Sequence, residues 1–243
     1  MGKAVTASAA PDLRVLLERA PAMDEVHAAL LSAGLGAAGR LLVDGVAVEV
    51  AADGAPLDCA GLYDAVANAR WEGAADAALR HRASIAIRAA GSERDLGRLL
   101  AASRVAAALL ALPGALALLD EVGAVFTEAG RAAARLAEAG RVPPLDLWVA
   151  VRRFAVADAE GLFIDTLGMA QLGLPDLESY AAEGPDADAV AAWLRKLALY
   201  LAQQGAPIRS GDTLDGPDER PVVAREDEAT VEPRRPVIRF TPV

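Results

Sequence analysis

Cysteine, lysine, histidine and aromatic residues are all scarce in this chain of 243 residues, and each scarcity removes a class of function. A single cysteine, Cys59, excludes an internal disulfide. It stands in Leu57-Asp58-Cys59-Ala60 with no basic neighbour to lower its pKa, so it reads as a small structural side chain. Two histidines, His27 and His81, lie too far from each other and from Cys59 in sequence to imply a zinc site, which needs three or four ligands. Aromatics are only 4% of the residues, so a core must be built from Leu, Val and Ala. The hydrophobic share of 54% is ample for one.

Positive charge is also short. Lysine occurs only at Lys3 and Lys196, no Lys/Arg run exceeds two residues, and the formal net charge is −10. That balance repels phosphate backbones, so no nucleic-acid partner is expected. The most apolar stretch, Leu99 to Leu119, is interrupted by Arg104 and Pro113-Gly114, which excludes a membrane span. The first residues, from Met1, lack the apolar segment of a secretory signal, so a cytoplasmic location is expected.

Catalytic templates are missing too. Gly-x-Ser-x-Gly and the P-loop are absent. Gly34-Leu35-Gly36-Ala37-Ala38-Gly39 fits Gly-x-Gly-x-x-Gly but follows a helical pattern and precedes a strand, the reverse of the order a dinucleotide needs. His81, in Leu79-Arg80-His81-Arg82, reads as a structural or capping residue rather than an acid–base catalyst. No catalytic residue, metal ligand or cofactor is assigned.

Periodicity gives an α+β fold with mixed or antiparallel sheets and helices on one face. Residues 1–11 read as a frayed tail. From 12 to 90 the order is strand (13–17), helix (23–33), two strands (41–43 and 46–50), a helix over 57–82 broken near Trp71-Glu72-Gly73, and a strand (84–88). Asp44-Gly45 between two apolar runs is a strong hairpin signal, because both residues tolerate positive φ. Residues 91–204 repeat the pattern: helix 93–112, strands 115–119 and 122–126, helix 129–139, and a strand from Leu145 through Val151 to about Val156. Two ferredoxin-like β-α-β-β-α-β units in tandem fit this order, as does one larger mixed sheet. A second hairpin through Leu162-Phe163-Ile164, a short turn at Met169–Leu172 and a helix over 188–204 follow, the helix carrying Val190, Trp193, Leu194, Leu197, Tyr200 and Leu201 on one face. Residues 205–243 read as a strand-and-turn appendage, and 12–243 as one compact module.

The most distinctive chemistry is acidic. Asp158, Glu160, Asp165, Asp176, Glu178, Glu183, Asp186 and Asp188 fall between 157 and 188 with no Lys or Arg among them. Such a stretch can solubilise, hold a hard cation, or dock a basic protein partner.

Five short elements carry a family resemblance: Leu112-Pro113-Gly114-Ala115, Leu147-Trp148-Val149, Thr166-Leu167-Gly168-Met169, Gly173-Leu174-Pro175-Asp176-Leu177-Glu178 and Gly211-Asp212-Thr213-Leu214. In that order they resemble the bacterial family labelled domain of unknown function 4261 (DUF4261), over nearly the whole chain after residue 12. The resemblance implies a bacterial source and no established activity. Ser84 stands where that family often has a second histidine, so it transfers no paired-histidine chemistry. Two functions are then weighed. One is a non-enzymatic binding, adaptor or immunity-type module with an acidic face. The other is an enzyme whose site is assembled from Asp165, Thr166, Glu178, Asp212 and Thr213, with nearby glycines admitting a ligand.

Overall fold

The computed structural model describes residues 13–36, 40–69, 71–91, 96–139, 142–155, 161–181, 185–205, 208–217 and 219–243. The tail at 1–11, the end of the glycine motif at 37–39, and Asp158, Glu160 and Glu183 lie outside the described residues; nothing is described of the Cys59 and Asp186 side chains. The fold is α+β, with two six-stranded sheets. The chain forms two compact units, one drawn from 1–91 and 97–139, the other from 92–96 and 140–243. The boundary therefore falls near 140 rather than 91.

The first unit runs β1 (Leu13–Leu17), α1 (Met23–Ser32), β2 (Arg40–Val43), β3 (Val46–Asp53), α2 (Cys59–Asn68), α3 (Ala74–Arg80), β4 (Ala83–Ala89), α4 (Leu96–Leu109), β5 (Ala115–Asp120), β6 (Val125–Glu128) and α5 (Ala129–Glu138). Its strand order is β2-β3-β4-β1-β5-β6, with every neighbour antiparallel. Strand β1 is central, which explains why Leu-Arg-Val-Leu-Leu does not alternate: both faces are covered and only Arg14 is polar. Arg14 is satisfied by an ion pair with Glu121. The core is aliphatic, with Leu13, Val15, Ile85, Ile87, Leu99, Val105 and Leu109 all fully buried.

The ferredoxin-like arrangement is not formed. A split β-α-β unit joins parallel strands through a single helix. Here β1 and β2, joined through the single helix α1, are antiparallel, as are β3 and β4, joined through α2 and α3, and β4 rather than β1 lies beside β3. Strands β5 and β6 add to the free side of β1 instead of starting a second unit.

Local expectations fare better. The two-residue Asp44-Gly45 hairpin is present, with φ of 50° and 82° and Val43 paired to Val46. Gly34 follows the end of α1 at φ 73°, its N–H bonded to the Leu31 carbonyl. His81 is the C-cap residue of α3 and is buried; its Nδ1 donates to the Ala78 carbonyl and its Nε2 accepts the Leu57 N–H. Both ring nitrogens are thus spent on holding the chain, in the neutral tautomer.

The second unit comprises a 3-10 turn at Leu145–Leu147, β7 (Ala150–Ala155), β8 (Leu162–Leu167), a 3-10 turn at Met169–Leu172, β9 (Asp176–Ala181), α6 (Pro185–Gln204), β10 (Thr213–Asp215), β11 (Pro221–Glu228) and β12 (Pro236–Pro242). The strand expected from Leu145 starts instead at Ala150. Pro143-Pro144 precede it, and the chain first tightens into the 3-10 turn with Leu145, Leu147 and Trp148 buried. The order is β10-β11-β12-β9-β8-β7, antiparallel except that β12 runs parallel to β9. Residues 205–243 are therefore no appendage: they supply half the sheet. Helix α6 covers one sheet face, burying Val190, Leu194 and Leu201. Trp193 packs edge-on against Phe240, with ring centroids 4.9 Å apart, and donates to the Asp215 carbonyl.

Candidate functional site

Strand side chains alternate between faces, so registered pairing fixes which residues meet. In the second sheet Arg152 of β7 pairs with Asp165 of β8, Asp165 with Glu178 of β9, and Glu178 with Arg239 of β12. The four form one polar row on the face opposite α6, because Ile164, Leu177 and Phe240 take the α6 side by alternation. Residues 229–235, which join β11 to β12, lie over this row.

Every carboxylate in the row has its partners. Arg152 clamps Asp165 bidentately, Nε to Oδ1 at 2.9 Å and Nη2 to Oδ2 at 2.5 Å. Arg235, the last residue of the connection, gives Asp165 a third donor at 2.6 Å. Glu178 accepts from the Thr230 hydroxyl at 2.5 Å, the Thr230 N–H at 2.9 Å and Arg239 Nε at 2.8 Å. Asp165 and Glu178 are each 1% exposed. Asp176 joins the same network: its Oδ1 accepts from Thr166 and the Met169 N–H, its Oδ2 from Arg235 Nε. Burial raises the Asp176 pKa above its ordinary value, against the opposing pull of the Met169 N–H, Arg235 and Thr166.

Arg235 is saturated as a donor. Nε serves Asp176, Nη2 serves Asp165 and the Thr166 carbonyl, and Nη1 serves the carbonyls of Val231 and Pro233. Arg152 sends Nη1 to the Glu232 carbonyl and lies 4.8 Å from the Phe154 ring centroid. Three guanidiniums thus neutralise three carboxylates in a water-poor setting, where an incomplete network would be costly.

The five sequence-selected residues separate into two groups. Asp165, Thr166 and Glu178 come together on β8 and β9, although the Thr166 hydroxyl is committed to Asp176 and to the Leu177 N–H. Asp212 and Thr213 sit at the opposite sheet edge, beside β11. Three strand spacings separate β10 from β9 and four separate it from β8, roughly 14 and 19 Å. Asp212 there accepts the Arg209 N–H, and Gly211 at φ 97° makes the turn. That is turn chemistry, and β11 and β12 lie between the two groups.

Arg152, Asp176, Thr230, Arg235 and Arg239 were missed by sequence reasoning. Arg235 and Arg239 lie at least 57 positions beyond Glu178 only in chain order; the parallel β12–β9 pairing, invisible in local pattern, brings them home. The 157–188 stretch is likewise no uniform acidic surface. Asp165, Asp176 and Glu178 turn inward, while Asp188 is exposed and ion-paired with Arg153. In the first unit a cleft of about 280 Å³ is lined by Trp71, Asp76, Arg80 and Glu128 among others. Arg80 is paired there with Glu18 and Asp76. Among the described residues no group of three or more His, Cys, Asp or Glu is placed to hold a metal ion, and no helix is long and apolar enough to cross a membrane.

The second unit is thus a mixed sheet with a helix on one face and a closed ion-pair network on the other. Residues 165–241 match the family described as Domain of unknown function (DUF4261), which bears out the family named from the motifs over that span, while the motifs at 112–115 and 147–149 lie outside the match. The match holds Asp165, Asp176, Glu178, Thr230, Arg235 and Arg239; Arg152 lies outside it. No curated protein and no solved structure matches the chain.

Proposed function

We propose that this protein works by binding, as a non-enzymatic adaptor or immunity-type module whose partner is a basic protein. One observation carries the reading: Asp165, Asp176 and Glu178 are all engaged by guanidinium, hydroxyl or backbone donors, leaving them as structural ties rather than acid–base groups. The net charge of −10 supplies the complementarity for a basic partner. Exposed carboxylates that can contribute include Asp24, Glu49, Asp64 and Glu72 in the first unit and Asp215, Glu219 and Glu226 in the second.

The competing enzyme needs 165–178 and 210–214 in one pocket, and the strand order holds them apart. The test is affinity capture with the full chain from a lysate, at low salt and near 1 M salt, where the screening length drops to about 3 Å. A basic protein retained at low salt and released at high salt is expected. Recovery of no partner at low salt overturns the reading.

A further inference from the structure

The connection between β11 and β12 is an unusual fastening. Glu228 pairs with Pro236, so a tight turn would have closed this hairpin, yet seven residues, 229–235, fold back over the sheet. One backbone bond closes its neck, the Ala229 N–H to the Arg235 carbonyl. Its ties to β7, β8 and β9 run through side chains: Arg235 to Asp165 and Asp176, Thr230 to Glu178, and Arg152 back to the Glu232 carbonyl. Thr230, Glu232, Pro233 and Arg234 are exposed, whereas Ala229 is buried at the neck. Strands on either side are held by continuous ladders.

From this contrast we infer that residues 229–235 form a strap, pinned by Arg235 and Thr230, that opens as one unit while the sheet beneath stays intact. Local opening draws on segments with few buried apolar contacts and few ladder bonds, and this segment has both features. Opening lifts two donors from Glu178 and two guanidinium contacts from Asp165 and Asp176, baring a carboxylate row on the face that α6 does not cover.

Acid does not release the strap through Asp176. That carboxyl holds its proton more firmly when buried than when bared, so protonation favours the closed form.

Hydrogen exchange of the full chain, read by mass spectrometry, tests the strap without any partner. Amides at 230–232 and 234 exchange faster than those of β8, β9 and β12. In Arg235→Ala they speed up by about tenfold or more, the loss of one or two charge-assisted bonds, while the three strands keep their protection. Thr230→Val keeps the side-chain shape, removes the hydroxyl contact to Glu178, and gives a smaller change in the same direction should Arg235→Ala fail to fold. Exchange of the strap at the same rate as the strands overturns the inference, as does a Thr230→Val variant that leaves strap exchange unchanged. Either failure leaves the basic-partner reading standing, since capture and exchange are separate measurements.

Discussion

Arg152 and Asp165 face each other on adjacent strands and meet through two parallel N–H···O bonds, with both side chains under a tenth exposed. A fork-to-carboxylate pair of this kind is geometrically demanding, and lysine cannot reproduce it. Its removal from one side leaves a buried charge without its counter-charge. Asp165→Asn is expected to destabilise the protein by about 3–5 kcal/mol. Replacing both partners together, as Arg152→Met with Asp165→Leu, is expected to cost much less than the sum of the single changes. Urea unfolding of the three variants checks this; additive losses would show that the pair does not act as a unit.

Asp176 provides a pH test with an uncommon sign. Its pKa is raised above 3.8 because burial penalises the charged form. The folded chain therefore binds this proton more tightly than the unfolded chain does. The contribution of this group is fully present below the unfolded value and declines as pH rises toward the folded one. A carbon-detected NMR titration of the aspartate carboxyls should place the Asp176 midpoint above the ordinary range. A midpoint at or below 3.8 would contradict the described burial.

Glu25 shows the opposite sign. It pairs with Arg19 and also accepts the Ala22 N–H at the start of α1, and its pKa falls from 4.5 to about 2. What it contributes is present above its unfolded value and is lost as pH falls through about 2. Arg19→Ala should bring the Glu25 midpoint up toward 4.5, with the helix-capping bond retained. An unchanged midpoint in that variant would show that Arg19 is not the main cause.

At the β2–β3 hairpin, Gly45 adopts φ 82° with open space where a side chain would start. Gly45→Ala thus tests backbone strain free of any clash, and about 1–2 kcal/mol of destabilisation is expected in a thermal or urea melt. A neutral result would mean that the turn rearranges.

Legibility from sequence followed the range of the interactions. Asp44-Gly45, the helix break at Trp71-Glu72-Gly73 and the α6 face are fixed by residues within a few positions of one another, and all were readable apart from Tyr200, which is exposed rather than on the buried face. Strand β9 was not: Pro175 just before it and the polar run Asp176, Glu178 and Ser179 mimic a loop, because its carboxylates are neutralised by arginines from β12 and from the connection before it. The same long-range pairing hid the network. Asp165, Thr166 and Glu178 stood out from their motifs, but their meaning lay in Arg235 and Arg239. The helix–strand order of the first half was legible, whereas its strand order was not, since nothing local distinguishes β4 beside β3 from the ferredoxin-like arrangement.

The most direct test of whether the carboxylate row is structural is the unfolding free energy of Glu178→Gln against the wild type, measured on the full chain. Gln presents an amide to donors from Thr230 and Arg239 and leaves the guanidinium without its buried counter-charge. A loss of about 3–5 kcal/mol is predicted, with partner capture retained at temperatures where the variant stays folded. A variant as stable as the wild type that has lost its function would contradict the account and point to Glu178 as a working group.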